Sequence, residues 1–127
     1  MPERSDTPHL PQIAPIDAYG NGGFRFAEMS HRGSLLCLPD GIWAWPPAQP
    51  QDIDEASLAQ VFAQAGLIDN LLVGTGAAMF VLPAPLRARL REAGIGCEAL
   101  PTGAAIRTYN VMIGERRRVA AALIAVS

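Results

Sequence analysis

The sequence predicts a single α/β domain: a mixed sheet flanked by helices, built from an N-terminal hairpin and a following β-α-β-α-β run. Three observations carry this reading. From Asp69 onward, short apolar runs alternate with stretches of helical period, the order that right-handed parallel crossovers produce. Upstream, two apolar runs flank Asp40-Gly41, a strong hairpin signal. Half of the 127 residues are hydrophobic, and a chain of this size buries roughly two-thirds of its unfolded surface.

In chain order, residues 1–15 carry Pro2, Pro8, Pro11 and Pro15 with few large apolar groups, which reads as a mobile tail ahead of a domain over 16–127. Gly20-Asn-Gly-Gly23 reads as a turn before the alternating piece Phe24-Arg-Phe26, and His31-Arg-Gly-Ser34 as a second turn. Ser34–Pro39 and Ile42–Trp45 form the hairpin, with Trp43 and Trp45 on one strand face, placed to pack against a helix. After the stiff Pro46-Pro47-Ala-Gln-Pro50 linker, Asp52 is placed to cap a helix with Glu55 in capping-box position. Leu58, Val61, Phe62 and Ala65 make its apolar stripe, and Gly66 ends it.

Asp69–Val73 is a buried strand running into Gly74-Thr-Gly76. Leu82, Leu86, Leu90 and Ala93 then repeat at helical spacing between an early proline pair and Gly94. The off-face arginines 87, 89 and 91 read as solvated. Gly96–Leu100 is a short strand, and Thr102 is placed to cap a helix running to Ile113. The stretch from Val119 to Val126 is apolar on every side and follows Gly114, so it reads as a strand buried on both faces. Arg116-Arg117-Arg118 reads as a solvated turn in front of it.

Composition excludes several chemistries. Net charge is −2, which argues against general nucleic-acid binding. Arginine supplies all ten basic residues; without lysine there is no Schiff base and no Walker phosphate loop. Cys37 and Cys97 read as buried core thiols in a reducing, cytoplasmic compartment, since no secretory signal opens the sequence. Two histidines do not complete a zinc set with them, so neither metal nor cofactor is expected. No apolar run approaches the ~20 residues needed to span a bilayer.

The candidate site combines Gly74, Thr75 and Gly76 with Arg107 and Asn110. The glycine turn closes a strand at the carboxyl edge, where ligands collect in open α/β sheets, but Met79 breaks the dinucleotide fingerprint. On a helix Arg107 and Asn110 share a face, while Tyr109 joins Ala105, Met112 and Ile113 on the core side. The arginine–asparagine pair suits a carboxylate or phosphate ligand, a partner contact, or a clamp on the protein's own backbone. With no serine–histidine arrangement and no Gly-x-Ser-x-Gly elbow, no catalytic residue is assigned and an enzyme is not the favoured reading.

Ser34-Leu-Leu-Cys-Leu-Pro39, Leu71-Leu-Val-Gly-Thr-Gly76, Glu92-Ala-Gly-Ile95, Thr102-Gly-Ala-Ala-Ile-Arg-Thr-Tyr-Asn110 and Arg118-Val-Ala-Ala-Ala-Leu123 follow one another in this order. In them the sequence resembles the small α/β domain family that includes mitochondrial complex I assembly factor three and its bacterial and archaeal relatives, over residues 13–126. Ile106 stands where a cysteine is frequent in similar sequences. The resemblance implies a mixed-sheet domain and no established enzymatic activity. It points to an interaction protein whose partner is a membrane-complex subunit or insertion machinery, working at the periphery of the inner membrane. A small-molecule or anion-binding protein with a cleft between the 74–76 turn and the 107–110 helix is the alternative. An exposed strand edge would also allow a homodimer.

Overall fold

The computed structural model describes residues 8–127. Two sheets form. A three-stranded antiparallel sheet comes first, from β1 (Ala18–Gly20), β2 (Gly23–Phe26) and β3 (Met29–Arg32) in that spatial order. The main sheet has five strands: β4 (Ser34–Leu38), β5 (Gly41–Trp45), β6 (Asn70–Gly74), β7 (Gly96–Leu100) and β8 (Val119–Leu123). Their order is β5-β4-β8-β6-β7. The sheet is mixed as expected: β6 runs parallel to both β7 and β8, while β4 is antiparallel to β8 and β5.

Three helices complete the chain: α1 (Ala59–Ala63), α2 (Ala84–Glu92) and α3 (Thr102–Gly114). The crossover through α2 moves outward from β6 to β7, whereas the one through α3 moves back past β6 to β8. Right-handed connections in opposite directions put their helices on opposite faces. The core divides accordingly. On one face Leu36, Trp43, Leu71, Val73, Ala120 and Ala122 meet Leu58, Val61, Leu86 and Leu90 of the α1–α2 layer. On the other, Leu35, Cys37, Leu72, Ala121 and Leu123 meet Ala105, Ile106, Tyr109 and Met112 of α3, together with Phe24 and Phe26 from the small sheet. Central β8 is buried at all five positions, which is why its sequence shows no alternation. Alanines at 120–122 let both layers approach closely.

Several local expectations are corrected. His31 and Arg32 belong to β3, and only Gly33, at a φ of 98°, turns between β3 and β4. The helix expected from Asp52 is a single short α1, preceded by a 3-10 turn over Pro50–Asp52. Its entry is organised by Asp54, whose carboxylate accepts from Ser57 N–H at 2.8 Å while Ser57 Oγ accepts from Asp54 N–H at 3.0 Å. Glu55 instead pairs with Arg89 at 3.2 Å, and Arg89 also lies over the Phe62 ring. Trp45 reaches the same region, donating its indole N–H to Ser57 O at 2.7 Å. Cys97 is exposed on the edge strand β7 rather than buried with Cys37.

Residues 1–7 of the expected tail lie outside the described residues. From there the chain is engaged: His9 N–H donates to Ile42 O and Ile42 N–H to Leu10 O, both at 2.9 Å, along the outer edge of β5.

Candidate functional site

At the carboxyl ends of β6, β7 and β8 the Gly74-Thr-Gly76 turn is part of a hydrogen-bonded seam. Thr75 N–H donates to Leu100 O at 2.8 Å, Thr102 N–H to Gly76 O at 2.8 Å, and Ile124 N–H to Gly74 O at 2.9 Å. Thr102 Oγ1 accepts from Gly76 N–H at 2.9 Å and donates to Ile124 O at 2.8 Å. This hydroxyl therefore joins the glycine turn to the end of β8 rather than capping α3, whose N-cap is Pro101. Thr75 Oγ1 donates to Ala78 O at 2.6 Å. A Cβ at Gly74 would approach Thr102 Oγ1 to 2.9 Å and Thr102 Cα to 3.0 Å, so close backbone packing requires glycine there. Gly76, at a φ of 97°, needs it for conformation.

Arg107 and Asn110 do not complete a cleft with this turn. Asn110 is a clamp on the chain's own N-terminal segment: its amide accepts from Ile16 N–H and donates to Ile16 O, each at 2.9 Å. That bidentate grip copies a strand pairing and fixes the path into β1. Arg107, one turn back on the same helix, is exposed and, among the described residues, has no contact with the glycine turn. It lines a groove of 860 Å³ with Glu98, Val111, Glu115 and Arg117, floored by Leu72 and Gly96 of β6 and β7. Gly76 and Thr75 border a separate depression of 540 Å³ with residues of the 48–51 linker and the 124–127 terminus.

Tyr109 is buried in the core as its spacing predicts. Its hydroxyl has no hydrogen-bond partner of standard geometry and faces the Cys37 thiol. Burial pushes that thiol up to about 12 and raises the phenol as well. Neither group is an available nucleophile or base at neutral pH.

Sequence reasoning missed the character of the loop after Gly76. No charged residue occurs between Asp69 and Arg87. Within that span Ala77, Ala78, Met79 and Val81 are exposed, Met79 at 60% and Val81 at 72%, with Phe80 half-buried beside them. These residues form an uncharged, largely exposed ledge beside the glycine turn. The signal was the run without charge, which burial in a strand and a helix start explained equally well.

Among the described residues, no helix is long and apolar enough to cross a membrane.

Comparison with known proteins fits this architecture. The chain is 42% identical over 110 residues to an uncharacterized protein of Rhodobacter capsulatus, covering 87% of this chain and 83% of that one. It is 32% identical to NADH dehydrogenase (ubiquinone) 1 alpha subcomplex assembly factor 3 of Mus musculus, over 91% of this chain but 62% of that protein's length. Among solved structures, a Rhodopseudomonas palustris protein matches at 56% identity and a TM-score of 0.84, covering 100% of this chain and 93% of that one. A Bordetella pertussis protein described as a Mth938-like domain matches at 28% identity and a TM-score of 0.76, over 98% and 92% of the two chains. The profile of the family described as "protein of unknown function (DUF498/DUF598)" matches residues 16–124, and the chain is a member of that family, alongside the complex I assembly factor 3 proteins.

Proposed function

We propose that this protein is a non-catalytic assembly factor for a membrane respiratory complex, an NADH dehydrogenase, and that it works by binding a protein subunit or its insertion machinery at the membrane periphery. The observation that carries the reading is its similarity to assembly factor 3 across 91% of its length. The chain spans under two-thirds of that relative, and the similarity falls on the folded domain. The uncharged ledge at Ala77, Ala78, Met79 and Val81 supplies the contact surface such a role requires, and the Arg107 groove on the other flank of the sheet offers a second. The alternative, a ligand cleft shared by the 74–76 turn and the 107–110 helix, has less support, because among the described residues Arg107 and the glycine turn line separate depressions.

Deleting the gene tests the proposal. Fully assembled NADH dehydrogenase in the membrane, measured on native gels, should fall several-fold and return on complementation with the wild-type chain. Unchanged levels of the assembled complex would refute the assignment.

A further inference from the structure

The three-stranded sheet carries a feature that the assembly role does not use. Its inward face presents Phe24 and Phe26 to the core. Its outward face is laid out in two cross-strand rows. Ala18, Arg25 and Ser30 are register partners in the first, and Gly20, Gly23 and Arg32 in the second. They line a depression of 390 Å³, joined at its margin by Tyr19, Asn21 and His31.

The layout is that of an anion seat. Arg25 and Arg32 stand diagonally across adjacent strands, a spacing of about 7–8 Å between backbones that long side chains bridge easily. Between and beside them stand only Ser30, Ala18 and two glycines. Gly23 cannot carry a side chain, because a Cβ there would run into the His31 carbonyl oxygen. The floor is therefore bare, and a ligand can come down to the backbone between the guanidinium groups. Among the described residues, no carboxylate lines the depression. Asp17 and Glu28, the acids closest in sequence, lie outside it, and neither arginine forms an ion pair among the described residues. Burial and the neighbouring His9 hold His31 below its ordinary value, so it adds no charge at neutral pH. Among the described residues, two permanently charged groups thus face one small cavity without a counterion, in a chain whose net charge is −2. Their mutual repulsion is relieved by a bound anion.

We propose that the outward face of the small sheet binds a phosphate group, held between Arg25 and Arg32 with Ser30 as a neutral donor. Paired guanidinium forks match the tetrahedral oxygens of phosphate, and the cavity suits a compact phosphomonoester or a headgroup phosphate. The site is independent of the 77–81 ledge, so its failure would leave the assembly role untouched.

Nuclear magnetic resonance titration of the intact chain tests this, with inorganic phosphate and then glycerol phosphate against sodium chloride at matched ionic strength. Saturable shifts confined to residues 18–20, 23–25 and 30–32 are expected. Arg25→Gln and Arg32→Gln should each weaken binding at least tenfold while leaving the thermal midpoint without phosphate unchanged or raised. Arg32→Lys should retain part of the affinity. Cosedimentation with phosphatidylcholine vesicles, with and without phosphatidic acid, separates the sources. Arginine-dependent binding to the acidic vesicles alone assigns the phosphate to a lipid, and binding of the soluble anions assigns it to a metabolite. Shifts reproduced by chloride, or binding by both vesicles and soluble phosphate that survives in the double variant, would overturn the proposal.

Discussion

Thr102 is the residue on which the carboxyl edge of the sheet depends. Its fully buried hydroxyl serves one donor and one acceptor from two different segments. Thr102→Val keeps the shape and strands both Gly76 N–H and Ile124 O. Unsatisfied buried groups cost about 1–3 kcal/mol each, so denaturant unfolding should show a loss of about 2–4 kcal/mol. Thr102→Ser keeps the hydroxyl and should lose only about 1 kcal/mol for the methyl group. Equal losses in the two variants would contradict the role. Cys37 makes a second residue-level prediction. Its thiol is raised from 9.0 to about 12 by burial, so between those values the folded state keeps a proton that the unfolded chain releases. Stability must then fall as pH rises through that window, with Tyr109 adding to the same trend. Denaturant midpoints measured from about pH 8 to pH 11 should decline less steeply in Cys37→Ala than in the parent. At neutral pH a thiol reagent should modify Cys97 and spare Cys37 in the folded chain.

At the scale of elements, α3 acts as an organiser. Its N-terminal turn holds the strand ends through Thr102, its inner face fills the core with Tyr109, and its flank grips Ile16 through Asn110. Asn110→Ala should cost about 1–3 kcal/mol, because it unpairs both backbone groups of Ile16. Hydrogen exchange at the Ile16 amide should rise well beyond the global change; unaltered protection there would mean that the clamp is incidental. Four of the five main-sheet strands were legible in the sequence because each is an apolar run bounded by glycine, proline or a charge. β7, which carries Glu98, was marked instead by the glycines at its start and Pro101 after it, and α2 by Leu82, Leu86 and Leu90 at helical spacing around its start and along it. The small sheet was legible only in part: the Gly20–Gly23 turn and the alternating Phe24-Arg-Phe26 could be read, but not β1 or β3, which are three and four residues long and carry no apolar pattern. Its second hairpin turns at Ala27 and Glu28, which adopt positive φ of 49° and 62° without any glycine to announce it. The site was half legible. Local spacing placed Arg107 and Asn110 on one helix and Tyr109 inside. It could not show that Asn110 reaches 94 positions back to Ile16, or that Thr102 bonds residues 26 and 22 positions away. Those pairings are set by the crossovers, which bring distant segments to one sheet edge.

For the whole molecule, the layout separates holding from contacting. Polar groups expected to bind a ligand are spent on the protein's own backbone, at the glycine turn and at Ile16. The surface beside them offers an uncharged ledge, an exposed edge strand and an arginine-lined groove. Such a distribution suits a protein that meets other proteins, and the ledge is the part of it that can be tested in place. The most direct measurement is site-specific photo-crosslinking in cells, with a Met79→benzoylphenylalanine variant compared with a Glu28→benzoylphenylalanine variant on the small sheet. Crosslinks from position 79 to identified NADH dehydrogenase subunits or their insertion machinery, absent from position 28, are the predicted result. Equal yields from both positions, or no such subunit captured from position 79, would contradict the account.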